Sequence, residues 1–331
     1  MSSNEPELYI GLMSGTSMDG IDAVLVDFSS TQPILIGTHS HRWPDTIQHA
    51  LIKARDIPDN ELSSLHVLDN QTAEIFSEAC SALLANTSCP AKDITAIGSH
   101  GQTIRHRPDI ENPFSLQIGN AQTLAVLTGI DVVADFRTAD IRAGGQGAPL
   151  VPAFHQAVFS NENTSRVIVN IGGIANITVL PEDATQPVIG FDCGPGNTLM
   201  DAWIKRHKKQ PCDESGVLAA SGKTDARLLA NMLMDDYFQL APPKSTGFEY
   251  FNLEWLNTYA VNDMDIADVQ STLCDLTTTS IIRAINQYTD TPGNGKTEIY
   301  VCGGGMHNQT LMQRLRAMTK HPVKTTEALG V

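Results

Sequence analysis

The chain has 331 residues, enough for two domains of ordinary size, and its 41% hydrophobic and 18% charged content is that of a globular protein with a sizeable core. A formal net charge of −15 argues against nucleic acid or an anionic membrane surface as a partner, because a long acidic surface repels both. No apolar run of about 18 residues suggests a membrane span. The acidic start Met1-Ser-Ser-Asn-Glu-Pro-Glu7 is unlike a secretory signal, and six cysteines without a CxxC pair fit reduced thiols in a cytoplasm.

Residues 8–28 read as a β-hairpin with a turn rich in Gly, Ser, Thr and Asp, and Ile34–His41 extends it to a three-stranded meander. Leu62, Leu65, Leu68, Ala73, Phe76, Ala79 and Leu83 recur at helical spacing and predict two helices between Thr46 and about Asn86. A short buried strand, Ile94–Ser99, leads into Ser99-His-Gly-Gln-Thr103. A strand at Phe114–Ile118, a helix started by Asn120 and running to Leu127, and a strand at Asp131–Ala134 complete an α/β lobe. After a Gly-rich joint, Arg142–Pro149, a second hairpin (Val167–Leu180) opens a second lobe, followed by a strand ending at Phe191-Asp192. Residues 197–209 are expected as helix with Asn197 as its cap, Pro242–Phe248 as loop, and helix again from about Asp265 to Tyr288. Ile299–Cys302 is expected as the last strand, before Gly303-Gly-Gly305 and a helix through Met318. The expected domains are 1–138 and 139–331.

Two glycine-centred hairpins about 155 residues apart carry the chemistry. Such turns aim backbone N–H groups and small hydroxyls at one point, which suits phosphate oxygens. A pair of them suggests two similar lobes gripping one polyphosphate, as in a kinase built from a duplicated unit. In the first hairpin the candidates are Gly15, Thr16, Ser17, Met18, Asp19, Gly20, Ile21 and Asp22. Gly15 and Gly20 have P-loop spacing, but Ile21-Asp22 stand where a P-loop needs Lys and Ser/Thr, so the Walker reading fails. Asp19 or Asp22 is placed to meet a magnesium ion through water. An ordinary tight turn competes with this reading; the cluster of Ser14, Thr16, Ser17 and Asp19 weighs against it. In the second hairpin Asn170, Gly172 and Gly173 are the candidates, although structural glycine explains such a turn as often as phosphate does.

Asp192, in Gly190-Phe-Asp-Cys-Gly-Pro-Gly-Asn197, is a candidate general base at a strand tip, where α/β sheets gather catalytic groups. The competing role is an Asx-type cap of the Gly-Pro-Gly turn. Asp201, within the helix, reads as structural or as a partner that supports a site residue. His100, Gly101, Gln102 and Thr103, with Arg137 and Asp140, form polar clusters just after buried strands, and Arg137 has the fork to clamp a carboxylate. His100 and His106 lack metal spacing. Gly303, Gly304 and Gly305, between strand and helix, suit close backbone approach to a nucleotide, with adenosine in the second lobe.

Taken together, these motifs resemble the anhydro-N-acetylmuramic acid kinases, relatives of hexokinase, actin and the sugar kinases. The resemblance runs from Ile10 to the end through Gly11–Gly20, Gly98–His106, Thr128–Arg137, Gly144–His155, Asn170–Gly173, Gly190–Asn197 and Cys302–Gly305. It implies an α/β, two-lobed ribonuclease-H-like duplicated fold with a central interlobe cleft. The implied activity uses ATP, with Mg2+, and water to convert 1,6-anhydro-N-acetylmuramic acid into N-acetylmuramic acid 6-phosphate in cell-wall recycling. Asp192 matches the base that activates water, and Gly15 to Asp22 match the ATP phosphate loop. A homodimer is implied too, as is an acidic helical segment beyond Val331 that gives the sugar site a glutamate; the sequence in hand stops at Glu327-Ala-Leu-Gly-Val331. The competing functions are a kinase for another amino sugar and a non-catalytic, actin-like nucleotide switch.

Overall fold

The computed structural model describes residues 6–15, 18–30, 32–289 and 296–330. The chain divides into two units, 1–147 and 148–331, each built on one mixed sheet.

In the first unit β1 (Leu8–Ser14) and β2 (Gly20–Asp27) pair antiparallel, Leu8 opposite Asp27 and Met13 opposite Asp22, and β3 (Ile34–Arg42) continues the meander. Ile10, Leu12, Ile21, Ala23 and Leu25 alternate inward, while Met13 and Asp22 face out. The inward face is covered by α1 (Asp45–Ala54) and α2 (His66–Thr87), whose Ala73, Phe76, Ala79 and Leu83 form the core stripe. Next comes β4 (Ile94–Arg107), parallel to β1. Expected to end at Ser99, this strand runs on for eight more residues. The reason is Gly101: at φ +70° it takes up the register shift beside Met13 and hands the strand from β1 to the antiparallel β5 (Phe114–Ile118). A Cβ there would lie 2.5 Å from the Ile118 carbonyl oxygen, so only glycine fits. The unit closes with α3 (Ala121–Thr128), capped by Asn120 Oδ1 accepting from the Thr123 N–H at 2.9 Å, then β6 (Val132–Val133), parallel to β4, and α4 (Thr138–Arg142).

The second unit starts with α5 (Pro152–Phe159) and the meander β7 (Ser165–Ile171), β8 (Ile174–Leu180) and β9 (Ile189–Pro195). Six helices follow: α6 (Thr198–Lys208), α7 (Val217–Ser221), α8 (Ala226–Met232), α9 (Asp236–Gln239), α10 (Leu253–Asn257) and α11 (Ile266–Thr289). Then β10 (Thr297–Cys302) adds parallel to β7, α12 (Gln309–Met318) crosses back, and β11 (Val323–Thr325) adds parallel to β10. That three-residue β11, rather than Ile299–Cys302, is the last strand.

The strand orders are β3-β2-β1-β4-β5, with β6 also beside β4, and β9-β8-β7-β10-β11. Each contains an antiparallel meander extended by two parallel strands, with β5 added antiparallel to β4 in the first, so the ribonuclease-H-like plan occurs twice. In the second sheet Val167, Val169, Ile171, Ile177 and Phe191 pack on one face with Leu273, Leu276 and Ile281 of α11. The other face carries Ile168, Leu180 and Tyr300 against Phe159 of α5. By the two-residue period this second face also carries Asn170, Asn176 and Asp192, which are cross-strand neighbours. No helix among the described residues is long and apolar enough to cross a membrane.

Candidate active site

The turn of the first hairpin is tied into its unit by side chains. Ser14 Oγ donates to the Gly20 carbonyl at 2.7 Å and accepts from Trp43 Nε1 at 3.2 Å. Gln102 Nε2 donates to the Gly15 carbonyl at 3.2 Å, and Gln48 Nε2 to that of Met18 at 2.7 Å. These bonds occupy turn carbonyls, which a phosphate would repel. Met18, held at φ 55°, and Ile21 are fully buried, so only their main chain can meet a ligand. Asp19 is exposed in the turn; Asp22, exposed on β2, accepts from Ser40 Oγ at 2.9 Å. Thr16 and Ser17 lie outside the described residues. Gln102 is fully buried, yet its Oε1 has no hydrogen-bond partner, beside the Gly15 turn that its Nε2 holds.

Further along β4, His100 Nδ1 lies 2.9 Å from the Gly101 carbonyl, to which it donates. Its Nε2 then accepts from Arg137 Nε at 3.2 Å and Nη2 at 2.8 Å. Arg137 Nη1 donates to the Gly147 carbonyl, while Asp140 Oδ2 accepts from the Gly147 N–H at 2.7 Å. Arg137 and Asp140 thus grip one residue of the Gly-rich joint, Gly147, through its two flanking peptide units. Thr103 Oγ1 accepts from Gln117 Nε2 at 3.2 Å. A cavity of about 250 Å³ adjoins this network, lined among others by Ser99, His100, Gly101, Gln117, Asp135 and Thr138. Asp135 sits at φ 55° with its carboxylate on the Thr138 hydroxyl and N–H, at 2.5 and 3.3 Å. Ser99, Asp135 and Thr138 lie in the two polar clusters read from sequence, in which His100 and Gly101 were named as candidates; Gln117 was not.

Burial, and for two of them the Arg137 charge, holds three imidazoles neutral: His100, His106 and His155 are each pushed down from 6.5 to about 4. Between those values the unfolded chain binds more protons than the folded one. The stability they contribute is therefore complete above about pH 6.5 and drains away as pH falls toward 4. The urea midpoint should fall across that window, and less steeply in His155→Gln, whose amide can still meet Thr178 Oγ1, the imidazole's partner at 2.9 Å. A midpoint that stays level from pH 6.5 to 4 would show these rings are not kept neutral.

In the second unit the hairpin tip and the triple glycine come together, because parallel pairing sets Cys302 beside Asn170. Gly303 has φ +80°, and a Cβ there would lie 2.5 Å from Asn170 Oδ1; one on Gly305 would lie 2.4 Å from Ile171 Cγ2. By contrast, Gly304 is open, with Asn197 Nδ2 at 4.0 Å as the nearest atom to its added Cβ. The carbonyls of Gly172 and Gly173 accept from the N–H groups of Gly196, Asn197 and Thr198 at 2.8–3.1 Å, which docks the hairpin on the start of α6. Asn197 sits at the N-cap position, but its side chain donates to the Ile171 carbonyl at 3.2 Å instead of capping the helix.

Asp192 is the fourth of seven residues in β9, not its tip, and is 5% exposed. Its Oδ2 accepts from the Thr246 N–H at 3.0 Å, so the carboxylate is held by the 242–248 loop, and the Asx-cap role is not what this contact serves. The same loop binds the main chain: the Asp192 N–H donates to the Lys244 carbonyl at 3.2 Å, and Tyr237 Oη donates to the Asp192 carbonyl at 2.8 Å. Lys244 Nζ closes the circuit, donating to the Tyr237 carbonyl at 3.0 Å and lying 4.6 Å over its ring. Burial pushes the Lys244 ammonium below its ordinary value, with the neighbouring Asp192 charge pulling the other way. Two buried polar atoms near Asp192, Asn176 Oδ1 and Thr246 Oγ1, have no hydrogen-bond partner. Each costs about 1–3 kcal/mol while unmet.

Asp192 is thus a buried carboxylate amid unmet polar atoms, on a sheet plan that occurs twice. The model of the anhydro-N-acetylmuramic acid kinases matches residues 7–331. The chain belongs to that family. An anhydro-N-acetylmuramic acid kinase of Shewanella baltica (strain OS223) is 52% identical over 326 residues, 98% of this chain and 87% of the relative. One from Shewanella frigidimarina is 51% identical over 331 residues, covering 99% and 88%. Among solved structures, Schistosoma mansoni hexokinase complexed with glucose aligns over 98% of this chain and 83% of that one, at 11% identity and a TM-score of 0.48. Component A of the Acidaminococcus fermentans (R)-2-hydroxyglutaryl-CoA dehydratase aligns over 96% and 91%, at 9% identity and the same TM-score of 0.48.

The residues present suit ATP. The open Gly304, beside glycines packed too tightly for any side chain, leaves room for close nucleotide approach. No group of three or more His, Cys, Asp or Glu able to hold a metal occurs among the described residues.

Proposed function

We propose that this protein is an ATP-dependent kinase of 1,6-anhydro-N-acetylmuramic acid, acting in the cytoplasm on sugar released during cell-wall turnover and working as a homodimer. The observation that carries the reading is Asp192: a buried carboxylate, fixed by the Thr246 N–H at 3.0 Å, in a chain of this family. A non-catalytic nucleotide switch needs no such base.

Asp192 takes a proton from water, and the water oxygen bonds to the anomeric carbon of the anhydro sugar. The bond from that carbon to O6 breaks, its electron pair stays on O6, and O6 attacks the γ-phosphorus of ATP as ADP departs. The products are N-acetylmuramic acid 6-phosphate and ADP; the proton on Asp192 returns to solvent. Phosphoryl transfer asks the protein mainly for in-line placement and charge neutralisation. Backbone from Gly15 to Asp22 and at Asn170, Gly172 and Gly173 would hold the phosphates, and Gly303, Gly304 and Gly305 the adenosine. Asp19 and Asp22 would hold magnesium, which when bound offsets charge on the transferring group. His100, Gly101, Gln102, Thr103, Arg137 and Asp140 would bind the sugar, beside the cavity lined by Ser99 and Asp135.

Turnover in heavy-oxygen water tests this directly. The sugar product should carry one label at its anomeric hydroxyl and none on its phosphate. Unlabelled sugar phosphate would exclude hydrolytic opening.

A further inference from the structure

Hydroxyls in the second unit are, as a rule, satisfied. Thr198 Oγ1 donates to the Gly173 carbonyl at 2.8 Å, Thr277 Oγ1 to that of Gly196 at 2.8 Å, and Ser280 Oγ to that of Thr277 at 2.9 Å. Thr178 Oγ1 is paired with His155. Thr246 breaks this habit: its N–H is spent on the Asp192 carboxylate, while its hydroxyl is buried and unmatched. Asn176 breaks it on the other side. It stands directly opposite Asp192 on β8, half-buried, with Oδ1 buried and unmatched. Cross-strand neighbours have Cβ atoms about 5 Å apart, the spacing that lets two side chains share one small molecule.

A water attacked by a single base is poorly aimed. It gives one hydrogen to the carboxylate, and its second hydrogen needs another acceptor before a lone pair can be fixed toward carbon. A hydroxyl and a carboxamide are both acceptors, and each can also donate to the sugar. We propose that Thr246 and Asn176 are further catalytic residues, which together with Asp192 hold the nucleophilic water and satisfy their own unmatched oxygens on it. This rests on the reading of Asp192 as the base. In the step itself one water O–H breaks and its proton goes to Asp192; the other O–H stays hydrogen-bonded to Asn176 Oδ1, the Thr246 hydroxyl donates to one lone pair of the water, and the freed pair bonds to the anomeric carbon.

The test compares Thr246→Val, Thr246→Ser, Asn176→Leu and Asp192→Asn in full-length protein with ATP and the anhydro sugar. Thr246→Val keeps the main-chain N–H that orients Asp192 and deletes only the hydroxyl. It should lower kcat about 10–100-fold, with KM for the sugar within about 3-fold, and Asn176→Leu should do likewise. Thr246→Ser should recover kcat to within about 3-fold of the parent. Because the deleted hydroxyl has no partner in the folded chain, the melting temperature of Thr246→Val should not drop. A purely structural role predicts the reverse: lower melting, and activity lost in step with it. That outcome, or a normal kcat in Thr246→Val beside an inactive Asp192→Asn, would overturn the proposal and leave the base standing. A normal kcat in Asp192→Asn would instead remove the base, and this inference with it.

Discussion

Asp192→Asn should fold normally and phosphorylate the sugar about 10²–10⁴-fold more slowly than the parent, the range over which a positioned base contributes. The substitution is nearly isosteric. Its amide oxygen can still accept the Thr246 N–H that the carboxylate accepts at 3.0 Å, and the main-chain bonds to Lys244 and Tyr237 are untouched. The amide cannot take a proton from water at neutral pH, so the loss should fall on kcat and leave KM for the sugar within a few-fold. Sugar-dependent ADP release measures the rate, and thermal melting controls for folding. Removing a buried charge beside Lys244, itself 9% exposed, leaves that ammonium in contact with Tyr237 through its 3.0 Å hydrogen bond, so the loop should hold. Normal phosphorylation by this variant would take the aspartate out of the mechanism.

Gly303→Ala should be among the most destabilising single changes in the second unit, at about 2–5 kcal/mol, from strain at positive φ plus overpacking. The residue sits at φ +80°, where a Cβ would lie 2.5 Å from Asn170 Oδ1 and 2.8 Å from the Ile171 carbonyl oxygen. That carbonyl ends β7, so relief requires moving the strand that pairs with β10. Gly304→Ala, one residue on, should change stability by less than about 0.5 kcal/mol, because its added methyl meets nothing nearer than 4.0 Å. With adenosine approaching at this turn, Gly304→Ala should nonetheless weaken ATP binding. Urea unfolding and ATP titration of both variants separate the two effects. Equal stability losses in the pair would contradict the packing described for this turn.

The alternating Ile10, Leu12, Ile21, Ala23 and Leu25 made the first hairpin legible, and Val167, Val169 and Ile177 did the same for the second. The reach of β4 was not legible, since Gly101 in Ser99-His-Gly-Gln-Thr103 reads as the end of a strand when it is a bulge that redirects it. β9 was cut short for a similar reason. Gly194 and Pro195 look like a turn, yet β9 is an edge strand, where a proline costs no ladder bond. Asp192 stood out in the sequence as a carboxylate among glycines. Its anchor did not, because Thr246 lies 54 residues away and binds through a main-chain N–H that any residue but proline possesses. The only hint was the stiff, polar Pro242-Pro-Lys-Ser-Thr246 run. Arg137 and Asp140 carried a charge pattern suited to a ligand, and nothing in their spacing revealed that both hold Gly147.

The central strand of the second sheet acquires its last neighbour late. β7 is synthesised by residue 171, pairs at once with β8, and waits for residues 297–302 before β10 covers its other side. During that interval of about 125 residues on the ribosome, an apolar edge, Val167-Ile-Val169 with Ile171, lies bare and able to recruit any extended segment. Fidelity of biogenesis for this enzyme therefore hinges on the arrival of residues 297–302, and a nascent chain stalled before Thr297 is the species that chaperones should find stickiest.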